Sequence, residues 1–188
     1  MARSISVVGM DPSMNNWGIS IGTLDLDTNK LQIQRLEVVC PVLPTGKQVR
    51  QNSKDIEAAQ QLTLAAVGAI KKAKVTFVEV PVGSQSARAM ASYAMCVGVL
   101  GALRAGGLQF IEVTPNEVKV AATGKSTASK KEMIAWACAR HPEANWPMYK
   151  RHGQELISEG TAEHMADAIA AIYAGIRTNT FQQLVQLI

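Results

Sequence analysis

Hydrophobic and polar positions follow two different rhythms along this chain. Ile5, Val7, Val8 and Met10 make residues 5–10 a largely apolar run and predict a buried strand. After a turn over 11–16, residues 17–26 predict a second strand and residues 31–39 a third. The short connections between them predict an antiparallel meander. Pro41, Pro44 and Gly46 mark a loop across 41–49. Helical spacing then takes over: Ile56, Ala59, Leu62, Ala66, Val67 and Ile70 predict a helix over about 52–73. Residues 75–79 read as a short buried strand, ended by Pro81 and Gly83. Residues 84–106 read as a helix rich in small residues, with Met90, Tyr93, Ala94, Val97, Leu100 and Leu103 along it. A last strand is predicted over 109–113, then helical segments near 115–123, 129–140 and 161–176. Residues 178–188 predict a short amphipathic helical tail.

This order specifies an α/β fold, a mixed five-stranded sheet flanked by helices, in a single domain spanning 1–188. There is no internal repeat, low-complexity tract or inter-domain linker.

Composition narrows the class. With 188 residues and 47% hydrophobic content, the chain can bury one full core. A net charge of +4 and a pI of about 9.1 suit a polyanionic partner without requiring one. Cys40, Cys96 and Cys138 are scattered and show no CxxC spacing, which argues against a zinc site or a disulfide framework. They read as reduced thiols of a cytoplasmic protein. Met1, Ala2, Arg3 and Ser4 run straight into the first strand without an apolar targeting segment, and no apolar span is long enough for a membrane helix.

Four residues carry candidate chemistry. Asp11 closes the first apolar run and Glu79 closes the fourth; His164 and Asp167 stand three apart on a late Ala-rich helix, where they share a face. Carboxylates at the ends of neighbouring strands, opposed by a His/Asp helix face, make a pocket for two divalent cations, and such pockets cut phosphodiester bonds. Three of the four also have a plain structural reading. Asp11 suits a turn, His164 the first turn of a helix that Thr161 caps, and Asp167 a solvated helix position. Lys119, Lys125, Lys130 and Lys131 fit either a solvated face or a DNA contact surface. His141 and His152 lie in a polar, Pro-containing stretch and are expected at the surface. Trp17 is expected to pack in its strand, and Trp136 and Trp146 to pack a helix and a loop.

Four local patterns then line up in order. They are Gly9-Met10-Asp11-Pro12-Ser13 with Gly18 beyond it; Val78-Glu79-Val80-Pro81; Pro115-Asn116-Glu117-Val118-Lys119 with Gly124 and Lys130 following; and His164-Met165-Ala166-Asp167-Ala168-Ile169-Ala170. In this order and spacing the chain resembles the RuvC family of Holliday-junction resolvases, which have an RNase H-like fold, over roughly residues 4–176.

The resemblance implies a crossover junction endodeoxyribonuclease using two Mg²⁺ or Mn²⁺ ions per active site. Asp11 would bridge both cations, Glu79 would hold one and Asp167 the other, and His164 would complete the site. Many members carry Asp at the His164 position; an imidazole suits Mn²⁺ better than Mg²⁺. By the same matching, Lys119 and Lys130 fall near the scissile phosphate. Lys125, Lys131 and Ser129, with Ser126 and Thr127, would contact the DNA backbone. A homodimer through helix 84–106 is also implied, with Ala94, Gly98, Gly101 and Ala102 permitting close approach. The family often has an aromatic residue three positions after the catalytic Glu, where this chain has Val82. That departure points to a looser, branched-DNA-selective nuclease of phage type. Other readings of the sequence are an ATP-binding domain of the actin and sugar-kinase type, whose second phosphate loop and adenosine motif are not visible, and a catalytically inactive junction-binding module. A ribonuclease H acting on hybrids shares the fold but typically has a different acidic spacing.

Overall fold

The computed structural model describes residues 3–46, 48–83 and 85–187. Strands β1 (Ser4–Asp11), β2 (Trp17–Asp25) and β3 (Leu31–Val39) form the expected meander. Helix α1 (Gln51–Ile70) leads into β4 (Val75–Glu79), which pairs parallel with β1, with Met10 opposite Val78. Helix α2 (Ala87–Ala105) leads into β5 (Ile111–Val113), parallel to β4. The result is a mixed five-stranded sheet in the order β3-β2-β1-β4-β5.

Helices α3 (Pro115–Thr123) and α4 (Lys130–Arg140) each begin with a capping box. Thr114 and Glu117 close the first, Ser129 and Glu132 the second, so two orphan N–H groups are satisfied reciprocally at each helix start. Helix α5 (Glu159–Gly175) follows, and α6 (Asn179–Val185) is the helix expected in the tail.

Strand parity sorts the core into two layers, because successive side chains point to opposite faces of a sheet. Val8, Met10 and Val78 join Leu62, Ala66 and Leu100 on the α1/α2 side. Val7 and Phe77 join Met133, Ile169 and Ile172 on the α4/α5 side. Residues 168–175 of α5 are all buried, as a helix wedged between a sheet and other helices must be.

Two readings of the sequence are corrected. The strand over 109–113 is not the last: β6 (Met148–Arg151) and β7 (Gln154–Ile157) form a separate antiparallel hairpin. Its turn residues His152 and Gly153 have φ of 49° and 79°, the left-handed pair that matches the twist of a two-residue turn. His152 is exposed as expected, but His141 is not, being only 2% accessible. Its ring nitrogens lie 3.0 Å from the Tyr173 hydroxyl and 3.1 Å from Glu143 Oε1. Burial holds its pKa below the ordinary value, and Glu143 opposes that shift. Trp17 is buried in its strand as expected, Trp136 packs edge-on against Tyr173, and the Trp146 indole donates to the His141 carbonyl. Ser84, the expected first residue of the helix over 84–106, lies outside the described residues.

Candidate active site

The parity that builds the core also builds the cleft. Asp11 shares the parity of Val7 and Gly9, and Glu79 that of Val75 and Phe77, so both carboxylates face α5 at the carboxyl ends of adjacent parallel strands. Across from them α5 presents His164 and Asp167. All four side chains line one cleft of about 490 Å³. Three segments far apart in sequence are thus brought together at one cleft.

Glycine makes that approach possible. A Cβ on Gly9 would collide with the Ala168 carbonyl and the Ile172 side chain, and a Cβ on Gly18 with the His164 carbonyl. Gly18 pairs with Asp11 across the β1–β2 ladder. The glycine that follows Asp11 in the sequence pattern is therefore the seat on which the His164 turn of α5 rests.

The cleft is acidic and poorly solvated. His164 Nδ1 lies 2.7 Å from Asp11 Oδ2, and the two side chains are only 17% and 16% exposed. That hydrogen bond, opposed by burial, raises the His164 pKa, and it leaves Nε2 as the nitrogen that can accept. Burial pushes Glu79 up to about 9, and the charges of Asp11 and Asp167 push the same way. Asp167 is pushed up to about 7 by burial first, then by Asp11 and Glu163, against His164 and Lys119. Burial and mutual repulsion together outweigh the nearby cationic groups at both carboxylates.

The lysine and serine positions separate. Lys119 and Lys130 line the cleft; Lys125, Lys131 and Ser129 do not. Lys125 stands 3.4 Å from Glu132 and Lys131 4.0 Å from Glu159, both exposed pairs on the α3–α4 connection and the first turn of α4. The Ser129 hydroxyl is engaged in its capping box: it accepts from the Glu132 amide and donates to the Glu132 carboxylate at 2.8 Å. Val82 is 74% exposed at the rim, and Tyr93 of α2 supplies the aromatic side chain of the lining.

Glu163 also lines the cleft, and the sequence reading missed it. It pairs with Lys130 at 2.6 Å. The signal was present, since Glu163 stands four residues before Asp167 and shares its helix face.

The donor set fits a hard divalent cation: carboxylate oxygens from Asp11, Glu79 and Asp167, with an imidazole beside them. Charge fits as well, because a cation would offset the repulsion that adds to burial in raising Glu79 and Asp167. The side chains are not drawn into a closed cage. Among the described residues, no three His, Cys, Asp or Glu side chains converge closely enough to hold a metal ion as they stand.

No family model matches the chain, and none of the curated proteins does. Solved structures do. A structure of Thermus thermophilus RuvC in complex with Holliday junction substrate superposes with a TM-score of 0.62 at 18% identity, over 97% of this chain and 96% of that one. A second Thermus thermophilus RuvC structure gives a TM-score of 0.61 at 18% identity, over 96% of each chain. The fold is therefore RuvC-like, an RNase H-like α/β architecture.

Proposed function

We propose that this chain is a metal-dependent endonuclease that cleaves four-way junctions or other branched DNA. The observation that carries the reading is the convergence of Asp11, Glu79, His164 and Asp167 on one cleft, with Lys119 and Lys130 beside them, in a RuvC-like fold. The Thermus protein was captured with a Holliday junction substrate, and its fold extends over nearly the whole of this chain.

In this reading Asp11, Glu79 and Asp167 hold two Mg²⁺ or Mn²⁺ ions, and His164 offers Nε2 while its Nδ1–H stays on Asp11. Such a pair of ions, when bound, activates a water and stabilises the leaving 3′-oxygen. The protein's own contribution is placement. Asp11 orients the imidazole, and Lys119 and Lys130 draw the phosphate backbone to the cleft mouth. Lys125 and Lys131 extend the basic surface along the flank; Ser129 serves DNA binding by fixing the start of α4. With Val82 rather than an aromatic at the rim, recognition rests on branched shape more than on base stacking.

The chain acts as a homodimer through the exposed face of α2. Met90 and Val97 are exposed there, and Cβ atoms added at Gly98 or Gly101 would meet nothing within 4 Å, so a second helix can approach closely. Two cut sites per assembly would then address two opposed strands of a junction.

The test is incubation with synthetic four-way junctions, flaps, plain duplex and RNA–DNA hybrids, in Mg²⁺ or Mn²⁺. Cation-dependent paired nicks in the junction are expected. Binding without cutting in either metal would make the chain a junction-binding module. Preferential cutting of hybrids would make it a ribonuclease H.

A further inference from the structure

Three lysine–glutamate pairs lie on or beside α4, and they differ. Lys125–Glu132 spans 3.4 Å and Lys131–Glu159 4.0 Å, with both partners of each pair well exposed. Lys130–Glu163 spans 2.6 Å, and its carboxylate is only 20% exposed while the lysine is 76% exposed. Exposed pairs contribute little, because both ions are already well hydrated. A carboxylate four-fifths sheltered has lost most of that hydration and needs its partner.

The pair also sits where it matters. Glu163 and Lys130 both line the cleft that Asp11, Glu79, His164 and Asp167 line. The ammonium feels Asp167 and Asp11 as well as Glu163. A lysine side chain is long and mobile, and it goes to whichever anion is nearest. Without Glu163, the remaining carboxylates whose charge acts on Lys130 are Asp167 and Asp11, which line the same cleft and would hold cations.

We infer that Glu163 is a positioning residue acting through Lys130: its carboxylate parks the ammonium at the cleft wall, off Asp11 and Asp167, so that the cation site stays open and the lysine is released only to an incoming phosphate. The inference rests on the metal-dependent reading above and adds a residue to it. Removing the Glu163 charge should let Lys130 fall onto Asp11 and Asp167, where it competes with a divalent cation as an internal salt.

The experiment is a double-mutant cycle read by Mn²⁺ titration without DNA, using calorimetry or thermal shift on the full chain. Wild type, Glu163→Gln, Lys130→Met and the double variant are compared. Glu163→Gln should raise the half-saturating Mn²⁺ concentration about fivefold or more in the wild-type background, and less than about twofold in the Lys130→Met background. An equal rise in half-saturating Mn²⁺ in both backgrounds would make Glu163 a cation ligand in its own right and overturn the inference. So would an unchanged midpoint in Glu163→Gln, which would reduce the pair to a surface contact. Wild-type protein that shows no saturable Mn²⁺ binding would instead bring down the metal-dependent reading, and this inference with it.

Discussion

Gly18 on β2 lies directly beneath the carbonyl of His164 on α5, at a distance that leaves no room for a side chain. The Asp11–His164 hydrogen bond of 2.7 Å depends on that seat, because Gly18 is also the ladder partner of Asp11.

Gly18→Ala should therefore be costly. Overpacking at a rigid backbone contact destabilises by about 1–3 kcal/mol, and here it would also shift His164 away from Asp11. Urea denaturation and cleavage should both suffer. Gly68→Ala is the control: its site on α1 is open, so the helix should gain about 0.5–1 kcal/mol. Equal stability of the two variants would mean that α5 does not rest on β2 as described.

Asp11→Asn should lower junction cleavage by about a hundredfold or more while leaving junction binding intact, since the basic surface is untouched. His164→Ala should also lose most activity; His164→Asp should keep it and shift preference toward Mg²⁺, a carboxylate being the harder ligand. A cleavage assay beside a gel-shift assay decides. If His164→Ala cuts normally in both metals, that residue only begins a helix turn.

The lysines should separate by salt dependence. Every phosphate that a side chain ceases to neutralise flattens the slope of log affinity against log salt by about 0.9 on duplex DNA. Lys119→Ala and Lys130→Ala should show that flattening. Lys30→Ala, at the exposed β2–β3 connection, should not. Identical slopes for all three would move the DNA path elsewhere, with Lys150 and Arg151 on the β6–β7 hairpin the next positions to change.

Ala94→Glu or Gly98→Glu should convert a homodimer into monomers that no longer make paired nicks, because both positions lie on the open face of α2. Light scattering reads the result directly. Wild-type protein with the monomer mass of 20.2 kDa at micromolar concentration would remove the dimer from the account.

His141 should make stability fall on mild acidification. Its folded pKa is lowered, chiefly by burial, from an ordinary value of 6.5. Below about pH 6.5 the unfolded chain therefore binds a proton that the folded chain resists, so unfolding free energy drops as pH falls toward the folded pKa. His164 is shifted upward and acts with the opposite sign, so the informative quantity is the difference between wild type and His141→Gln. That difference should shrink between about pH 7.5 and 5. A difference that does not change with pH would mean that the buried ring carries no titration penalty.

What the sequence made legible follows from how locally each feature is determined. Asp11 and Glu79 could be found because each ends an apolar strand, and strand parity carries its direction with it. His164 and Asp167 could be found from a three-residue spacing. The β6–β7 hairpin could not, because every residue of it except Ile157 is exposed and no burial pattern marks it. Only the His152-Gly153 turn hinted at it. His141 was misread because its burial depends on Tyr173, which is 32 residues away and reaches it only through the packing of α4 on α5. Glu163 was overlooked because its partner Lys130 belongs to another helix.

The wedging of α5 between the sheet and its neighbouring helices also sets an order of events during synthesis. Asp11 and Glu79 leave the ribosome long before residue 167, yet the wall that faces them is made of residues 163–167. Without α5, which packs directly against Gly9 and Gly18, the two early carboxylates lack the wall that closes the cleft. In the proposed reading, a chain truncated before α5 lacks His164 and Asp167 and should leave DNA uncut.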